Sequence, residues 1–293
     1  LAVFSAALAT TPAPAQEPSA PETVAPVNAI PWMNVFRRYA AEDEAMFDFY
    51  ENVVGLERLG SFTDVGAGGV HRFRAGAGEL KLTRRVPGRD YVGGAIGDAT
   101  GVRYLTLFFP DANAVAARFT AAGLPAPAFE DAGEGMSAAL VQDPDGQWLK
   151  LVIAPGQDEP FYDQIGVGLS VSDLEASKAF YGGFAGLEEY GPIDDALIGA
   201  TVHAYRHGST WVSLVDFGDR LPADTGSGGI QYVVSDVERV DRLAQERGIT
   251  IDQPLSTLSG YGLRTIWLDD PDGITNYFAQ TGRPPAASAD PSE

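Results

Sequence analysis

Lys81 and Lys150 are two of only three lysines in the chain, and each stands in a Leu-Lys-Leu run. A protonated lysine is a donor-only cation that can hold a carboxylate, phosphate or enolate oxygen. A buried lysine that loses its proton becomes a general base or a Schiff-base nucleophile. Anion capture asks less of the surroundings than proton loss does. The plainer alternative is that each lysine lays its stem on apolar surface and reaches water with its head. Glu79 stands two residues before Lys81 and so shares its strand face.

His71 and His203 are equivalent in a repeated pattern, each followed two residues later by an aromatic, Phe73 and Tyr205. His207 shares the face of His203, yet four residues of strand span roughly 13 Å, too far for the pair to chelate one ion. Either repeat histidine, if it faced a cleft, would be the best general acid or base in the chain. A histidine hydrogen-bonded between strands is the plainer reading. The absence of cysteine excludes disulfides, thiolate metal sites and cysteine nucleophiles.

The elements that position these groups begin with size. At about 150 residues per domain, 293 residues favour two domains. Hydrophobic residues at 45% are enough for real cores. A net charge of −20 makes phosphate backbones and anionic membranes poor partners. No apolar run approaches the roughly 20 residues of a membrane span. Residues 1–15, apolar and ending in Ala13-Pro14-Ala15, read as a truncated secretory signal peptide, and imply export to a bacterial periplasm. Residues 16–29 and 282–293 read as disordered linker and tail that bury no core.

Between the tails the chain repeats. Val70-His71-Arg72-Phe73-Arg74 and Leu80-Lys81-Leu82 match Val202-His203-Ala204-Tyr205-Arg206 and Val212-Ser213-Leu214. Phe49-Tyr50 with Gly55-Leu56 matches Phe180-Tyr181 with Gly186-Leu187, and Asp143-Pro144-Asp145-Gly146 matches Asp270-Pro271-Asp272-Gly273. Fixed-order self-similarity means tandem copies of one domain. Each half divides again into strand, helix and three strands, giving four βαβββ units over 31–84, 102–153, 165–217 and 229–280. The spacing predicts helices over 41–53, with Ala45, Phe49 and Val53 on one face, and over 112–122, 174–184 and 237–247. The Asp-Pro-Asp-Gly stretches read as turns. The Gly-rich connectors 87–100 and 218–228 read as ordinary links that could serve as lids.

These motifs resemble the vicinal oxygen chelate superfamily, which includes glyoxalase I, the bleomycin-resistance proteins and extradiol dioxygenases. The resemblance rests on Val171-Ser172-Asp173-Leu174-Glu175-Ala176-Ser177, Phe180-Tyr181, Gly186-Leu187, both Asp-Pro-Asp-Gly turns and the four-unit order. It implies an α+β fold in which two tandem glyoxalase-like domains, 30–156 and 160–281, carry curved mixed sheets around clefts. It also implies a divalent metal, held by His or Gln on first strands and Glu on last strands. Here those positions fall near Gly166 and Gly229, on Ser213 and Tyr277, on Asn34 or Val35, on Arg103 or Tyr104, and on Lys81 and Lys150, which is no ordinary ligand set. By the same resemblance Lys81 and Lys150 meet in one cleft of the first half, with Arg103 nearby.

The first functional expectation is a secreted protein that binds a small anionic or aromatic molecule in a cleft, without a cofactor. The second is a metal-dependent lyase, isomerase or dioxygenase with displaced ligands. The third is a cofactor-free enzyme using lysine or histidine as base, and the fourth an interaction module whose second domain is scaffold. The ligand-binding candidates are Lys81, Lys150, Arg103, Glu79, Asn34, Ser213 and Tyr277. The catalytic candidates are His71, His203, Lys81 and Lys150. The expected partner is a small molecule, not nucleic acid or membrane, bound by a monomer or homodimer.

Overall fold

The computed structural model describes residues 21–63, 68–154, 165–218, 220–258 and 260–282. The expected signal peptide, the first part of the linker and the tail beyond residue 282 lie outside the described residues.

The first unit has β1 (Asn34–Tyr39), α1 (Asp43–Asp48), β2 (His71–Ala75) and β3 (Gly78–Arg84). The first of the three strands expected after its helix is reduced to single bridges, Arg58 to Phe73 and Phe62 to Val70. The second unit has β4 (Thr100–Phe109), α2 (Ala112–Ala121), β5 (Glu130–Gly133), β6 (Met136–Gln142) and β7 (Trp148–Ile153). The third has β8 (Ile165–Val171), α3 (Leu174–Lys178), β9 (Glu188–Asp195), β10 (Ala200–His207) and β11 (Thr210–Asp216). After the short β12 (Ala223–Asp224) comes the fourth, with β13 (Gly228–Val233), α4 (Val237–Glu246), β14 (Thr250–Leu258), β15 (Leu263–Asp269) and β16 (Thr275–Thr281). Asp111, Asp173 and Asp236 cap α2, α3 and α4, each accepting from a backbone N–H of the first turn.

The units pair crosswise. One sheet runs β14-β15-β16-β13-β1-β3-β2, joining the first unit to the fourth. The other runs β5-β6-β7-β4-β8-β11-β10-β9, with β12 beside β4, joining the second to the third. The seams are antiparallel, β1 against β13 and β4 against β8. Each sheet buries one face against the helices through residues such as Val35, Leu80, Leu82, Ile230 and Phe278, or Leu105, Leu149, Val167 and Leu214. Because side chains alternate across a strand, the intervening residues line the opposite, concave face. In the first sheet the curl is so strong that the two edges touch: Phe62, next to β2, meets Tyr261 of the β14–β15 turn edge-on at 5.3 Å.

Both Phe-Tyr motifs lie in π-helical turns, Phe49–Val53 and Ala179–Phe184, that continue α1 and α3. The extra residue per turn displaces the expected stripe, so Met46, Phe49, Tyr50 and Val53 are buried while Ala45 is exposed. The tyrosines explain the repeat's two most distant motifs. Tyr50 OH donates to Asp143 Oδ2 at 2.9 Å, and Tyr181 OH donates to Asp270 Oδ2 at 2.8 Å. Each Asp-Pro-Asp-Gly turn therefore fastens the second unit of its half to the helix of the first. Asp145 accepts from the amides of Ala40 and Ala41, and Asp272 accepts from that of Ser172.

The linker expectation fails over its second part. Val24 and Val27 are buried, Val24 N–H donates to the Phe184 carbonyl, and Glu22 pairs with Arg239 and Arg242 of α4. Two valines three residues apart, on a single 3-10 turn at Ala25–Val27, are enough to dock an otherwise Pro/Ala-rich segment on an existing core.

Candidate functional site

On the concave face of the first sheet a single cross-strand row joins Asn34, Gln231, Tyr277 and Trp267. Asn34 Nδ2 donates to Gln231 Oε1 at 3.2 Å, and Asn34 Oδ1 accepts the Glu79 amide at 2.9 Å. Into the gap beside this row β3 delivers Lys81, whose ammonium also donates to Gln231 Oε1. Glu79 Oε2 lies 3.6 Å from that ammonium, while Arg72 grips Glu79 with two hydrogen bonds of 2.9 and 2.6 Å. Trp267 and Tyr277 meet edge-on at 5.1 Å, and Phe36 completes an aromatic flank.

Two cations and one carboxylate leave the centre of this floor at +1 within a chain of net charge −20. Burial pushes the Lys81 ammonium below its ordinary value, and Glu79 pulls it part of the way back. For Glu79, burial raises the carboxyl, but Arg72 and Lys81 outweigh it and hold the group below the usual range. Burial lifts the Tyr277 phenol to about 12, so it stays protonated. The Lys81 side chain keeps 18% of its surface exposed. An ammonium has three donors; Lys81 spends one on Gln231 and turns a second toward Glu79 at 3.6 Å. At least one donor is left for a ligand.

The cup of the second sheet is filled by the protein itself. Ile96, Tyr104, Ile198, Val202 and Val215 form a buried cluster there, with Leu140, Trp148 and Phe217 packed against it. Lys150 reaches across to β9 and pairs with Asp195, which cancels its charge. The connector 87–100 is fastened over this cup instead of serving as a free lid. Arg103 donates to the carbonyls of Val92, Ala95 and Ile96 and pairs with Asp224, and Trp148 Nε1 donates to Gly94 O at 3.0 Å.

The family model described as Glyoxalase/Bleomycin resistance protein/Dioxygenase superfamily matches residues 32–151 and 163–278. The chain belongs to this superfamily. No curated protein matches it. Glyoxalase I from Zea mays is similar in fold, with a TM-score of 0.64 at 20% identity over 84% of this chain and 91% of that one. A putative dioxygenase from Bacillus subtilis subsp. subtilis str. 168 gives 0.59 at 15% identity over 88% and 86%.

The superfamily's metal positions in the first cup correspond to Asn34, Lys81, Gly229 and Tyr277, and these do not fit a divalent ion. An ammonium stands among them, bonded to the nearest amide oxygen, and the Tyr277 phenol is held protonated. A doubly charged ion 4 Å from that ammonium would meet a repulsion of about 8 kcal/mol at an effective dielectric near 20. Gly229 is glycine for a packing reason. A Cβ there would lie 2.2 Å from the Phe36 ring and 2.5 Å from the Thr275 carbonyl oxygen. Gly229→Ala should therefore destabilise the fold by about 1–3 kcal/mol through overpacking, read from the urea midpoint; a shift under about 0.5 kcal/mol would show that the strands yield freely. In the second cup Gly168 likewise makes room for Tyr104, whose ring would sit 2.0 Å from a Cβ.

The fold separates several residues that the sequence appeared to bring together. Lys81 and Lys150 occupy different sheets, because the first unit completes its sheet with the fourth unit and not with the second. Arg103 and Ser213 belong to the second sheet, where Arg103 holds the connector and Ser213 bonds Tyr104. Asn34, Glu79, Lys81 and Tyr277 do share the first cup. His71 and His203 pair with the core residues Leu82 and Leu214 and so lie on the helix-facing side of their sheets. His71 packs on Phe47 at 4.3 Å and meets Ser61 at 3.1 Å, which leaves it no access to a cup. Gln231 is one of the site residues that sequence reasoning missed, with Phe36, Arg72 and Trp267. It was legible as the one amide on the Gly229 face of an otherwise apolar strand, two residues beyond the position that the repeat picks out.

Proposed function

We propose that the protein binds a small aromatic carboxylate in the first cup, with the carboxylate on Lys81 and the ring against Trp267, Tyr277 and Phe36. The observation that supports this most is a cup whose floor carries a partly exposed ammonium, hydrogen-bonded to Gln231 and 3.6 Å from Glu79, beside an aromatic flank. A charge-assisted hydrogen bond in a low-dielectric cup is strong enough to orient a small anion, and the rings supply apolar area without many rotamers to freeze. In this reading binding needs no divalent metal and the second cup is scaffold. The apolar residues 1–9 and Ala13-Pro14-Ala15 support export to a periplasm.

The test is calorimetric titration with benzoate, phenylacetate, cyclohexanecarboxylate and benzamide. The aromatic carboxylates should bind more tightly than either the saturated acid or the neutral amide. Lys81→Met should weaken benzoate about ten- to hundredfold, equivalent to about 1.5–3 kcal/mol, while Lys150→Met leaves it unchanged. Equal affinities for wild type and Lys81→Met, or binding of none of the four, would refute the assignment.

A further inference from the structure

We infer that Arg38 is a second anion-binding group in the first cup, and that the preferred ligand carries two carboxylates on one aromatic ring, the first for Lys81 and the second for Arg38. This rests on the reading of Lys81 as the holder of a carboxylate, and adds a partner for the far side of the ring. Three arginines are buried among the described residues, and two have their charge matched, Arg37 by Asp143 and Asp145, and Arg103 by Asp224. Arg38 is only 4% exposed, yet among the described residues it forms no ion pair. Its one side-chain hydrogen bond runs from Nη1 to the Gly226 carbonyl at 3.1 Å. Nε and Nη2, a fork that fits a carboxylate, have no partner among the described residues, and neither is sealed from solvent. A buried guanidinium without a counter-charge is costly to the fold, and a ligand carboxylate would supply the charge that is missing.

The strand aims this group into the cup. Val35, Arg37 and Tyr39 turn to the helix side of β1, so Phe36 and Arg38 share its concave face. Arg38 lays its guanidinium over the Phe36 ring, 4.7 Å from the centroid. Phe36 is the register partner of Lys81, and Arg38 is that of Thr83, two residues further along β3. With strands about 4.8 Å apart and a rise of about 3.3 Å per residue, the Cα atoms of Lys81 and Arg38 stand roughly 8 Å apart. Both cations thus border the aromatic flank, a separation that one ring with two carboxylates spans. The carboxylates whose charge Arg38 feels, Asp252 and Asp269, are already bonded to Arg89 at 2.5 and 3.4 Å. They temper the pull on an incoming anion but leave the Arg38 fork unbonded. Burial accordingly pulls the Arg38 guanidinium below its ordinary value, whereas in Arg37 the neighbouring aspartates outweigh burial and hold it above.

The experiment is calorimetric titration of wild type, Arg38→Met and Lys81→Met with benzoate, isophthalate and terephthalate at pH 7.5. One or both dicarboxylates should bind wild type about tenfold or more tightly than benzoate, the gain expected from one charge-assisted hydrogen bond. Arg38→Met should cancel that advantage while leaving benzoate within about twofold of wild type, and Lys81→Met should weaken all three. Dicarboxylates that bind wild type no more tightly than benzoate would overturn the inference, as would an advantage that survives Arg38→Met. Because Arg38 leaves no carboxylate stranded, the urea midpoint of Arg38→Met should match or exceed that of wild type; a lower midpoint with an unchanged preference would make Arg38 a residue of the fold alone. Should Arg38→Met fail to fold, Arg38→Lys carries the test, since it keeps the charge and loses the fork. The advantage should then fall about threefold or more, and an unchanged advantage refutes the idea. Benzoate bound through Lys81 with no gain from a second carboxylate would sink this inference and leave the proposed function standing. A dicarboxylate bound through Arg38 by a chain indifferent to Lys81→Met would do the reverse, and binding of none of the three would refute both.

Discussion

Replacing Arg37 with methionine should cost the fold about 3–5 kcal/mol at pH 7.5, because it strands a buried carboxylate. Arg37 projects from β1 to the helix side, where only 2% of its side chain is exposed. Its Nε reaches Asp143 at 3.3 Å and its Nη2 reaches Asp145 at 2.8 Å, while its remaining nitrogen donates to main-chain carbonyls of Arg38 and Ser227. Asp143 is itself fully buried and also takes the Tyr50 hydroxyl, so the guanidinium is its only charge partner among the described residues. Methionine fills much of the same volume but returns none of this. Urea unfolding of wild type and Arg37→Met at pH 7.5 decides it. A loss below about 1 kcal/mol at pH 7.5 would mean that the turn is held by its hydrogen bonds alone.

The second large effect comes from the matching turn in the other half. Asp270 accepts the Tyr181 hydroxyl and the amides of Asp272 and Ile274, yet no guanidinium reaches it among the described residues. Leu169 occupies the position that Arg37 holds in the first half, three residues before the amide that bonds the turn's second aspartate. Burial then raises the Asp270 carboxyl to about 7, against an ordinary value of 3.8. Between these two values the folded chain holds a proton that the unfolded chain has released. Stability from this group is therefore greatest near pH 4 and declines as pH rises to about 7, by up to about 4 kcal/mol. Asp270→Asn removes the titration, so wild type minus variant should fall steadily across that window. Carboxyls held low, such as Glu79 and Asp145, act in the opposite sense but cancel in the difference. A difference that is flat between pH 4.5 and 7.5 would refute the account.

Much of the fold is legible in the residues because its signals are local. Capping aspartates, alternating strands and glycine stops mark the helices and hairpins without reference to the rest of the chain. Fixed-order repetition adds the long-range statement that four similar units follow one another. The π-turns escape that reading, since an extra residue inside a helix leaves no compositional mark, and so does the docking of Val24 and Val27, which depends on a groove made elsewhere.

The candidate site divides along the same line. The sequence by itself determined that Lys81 must point to one face of a leucine-flanked strand with Glu79 beside it, since alternation is a property of each strand alone. Which strands would adjoin was decided by tertiary structure. A sheet edge pairs with whichever partner buries the most apolar surface and satisfies its backbone, and here the first unit met the fourth. That choice sent Lys150 to a cup filled by Ile96 and Ile198 and set Lys81 against Gln231, 150 residues away.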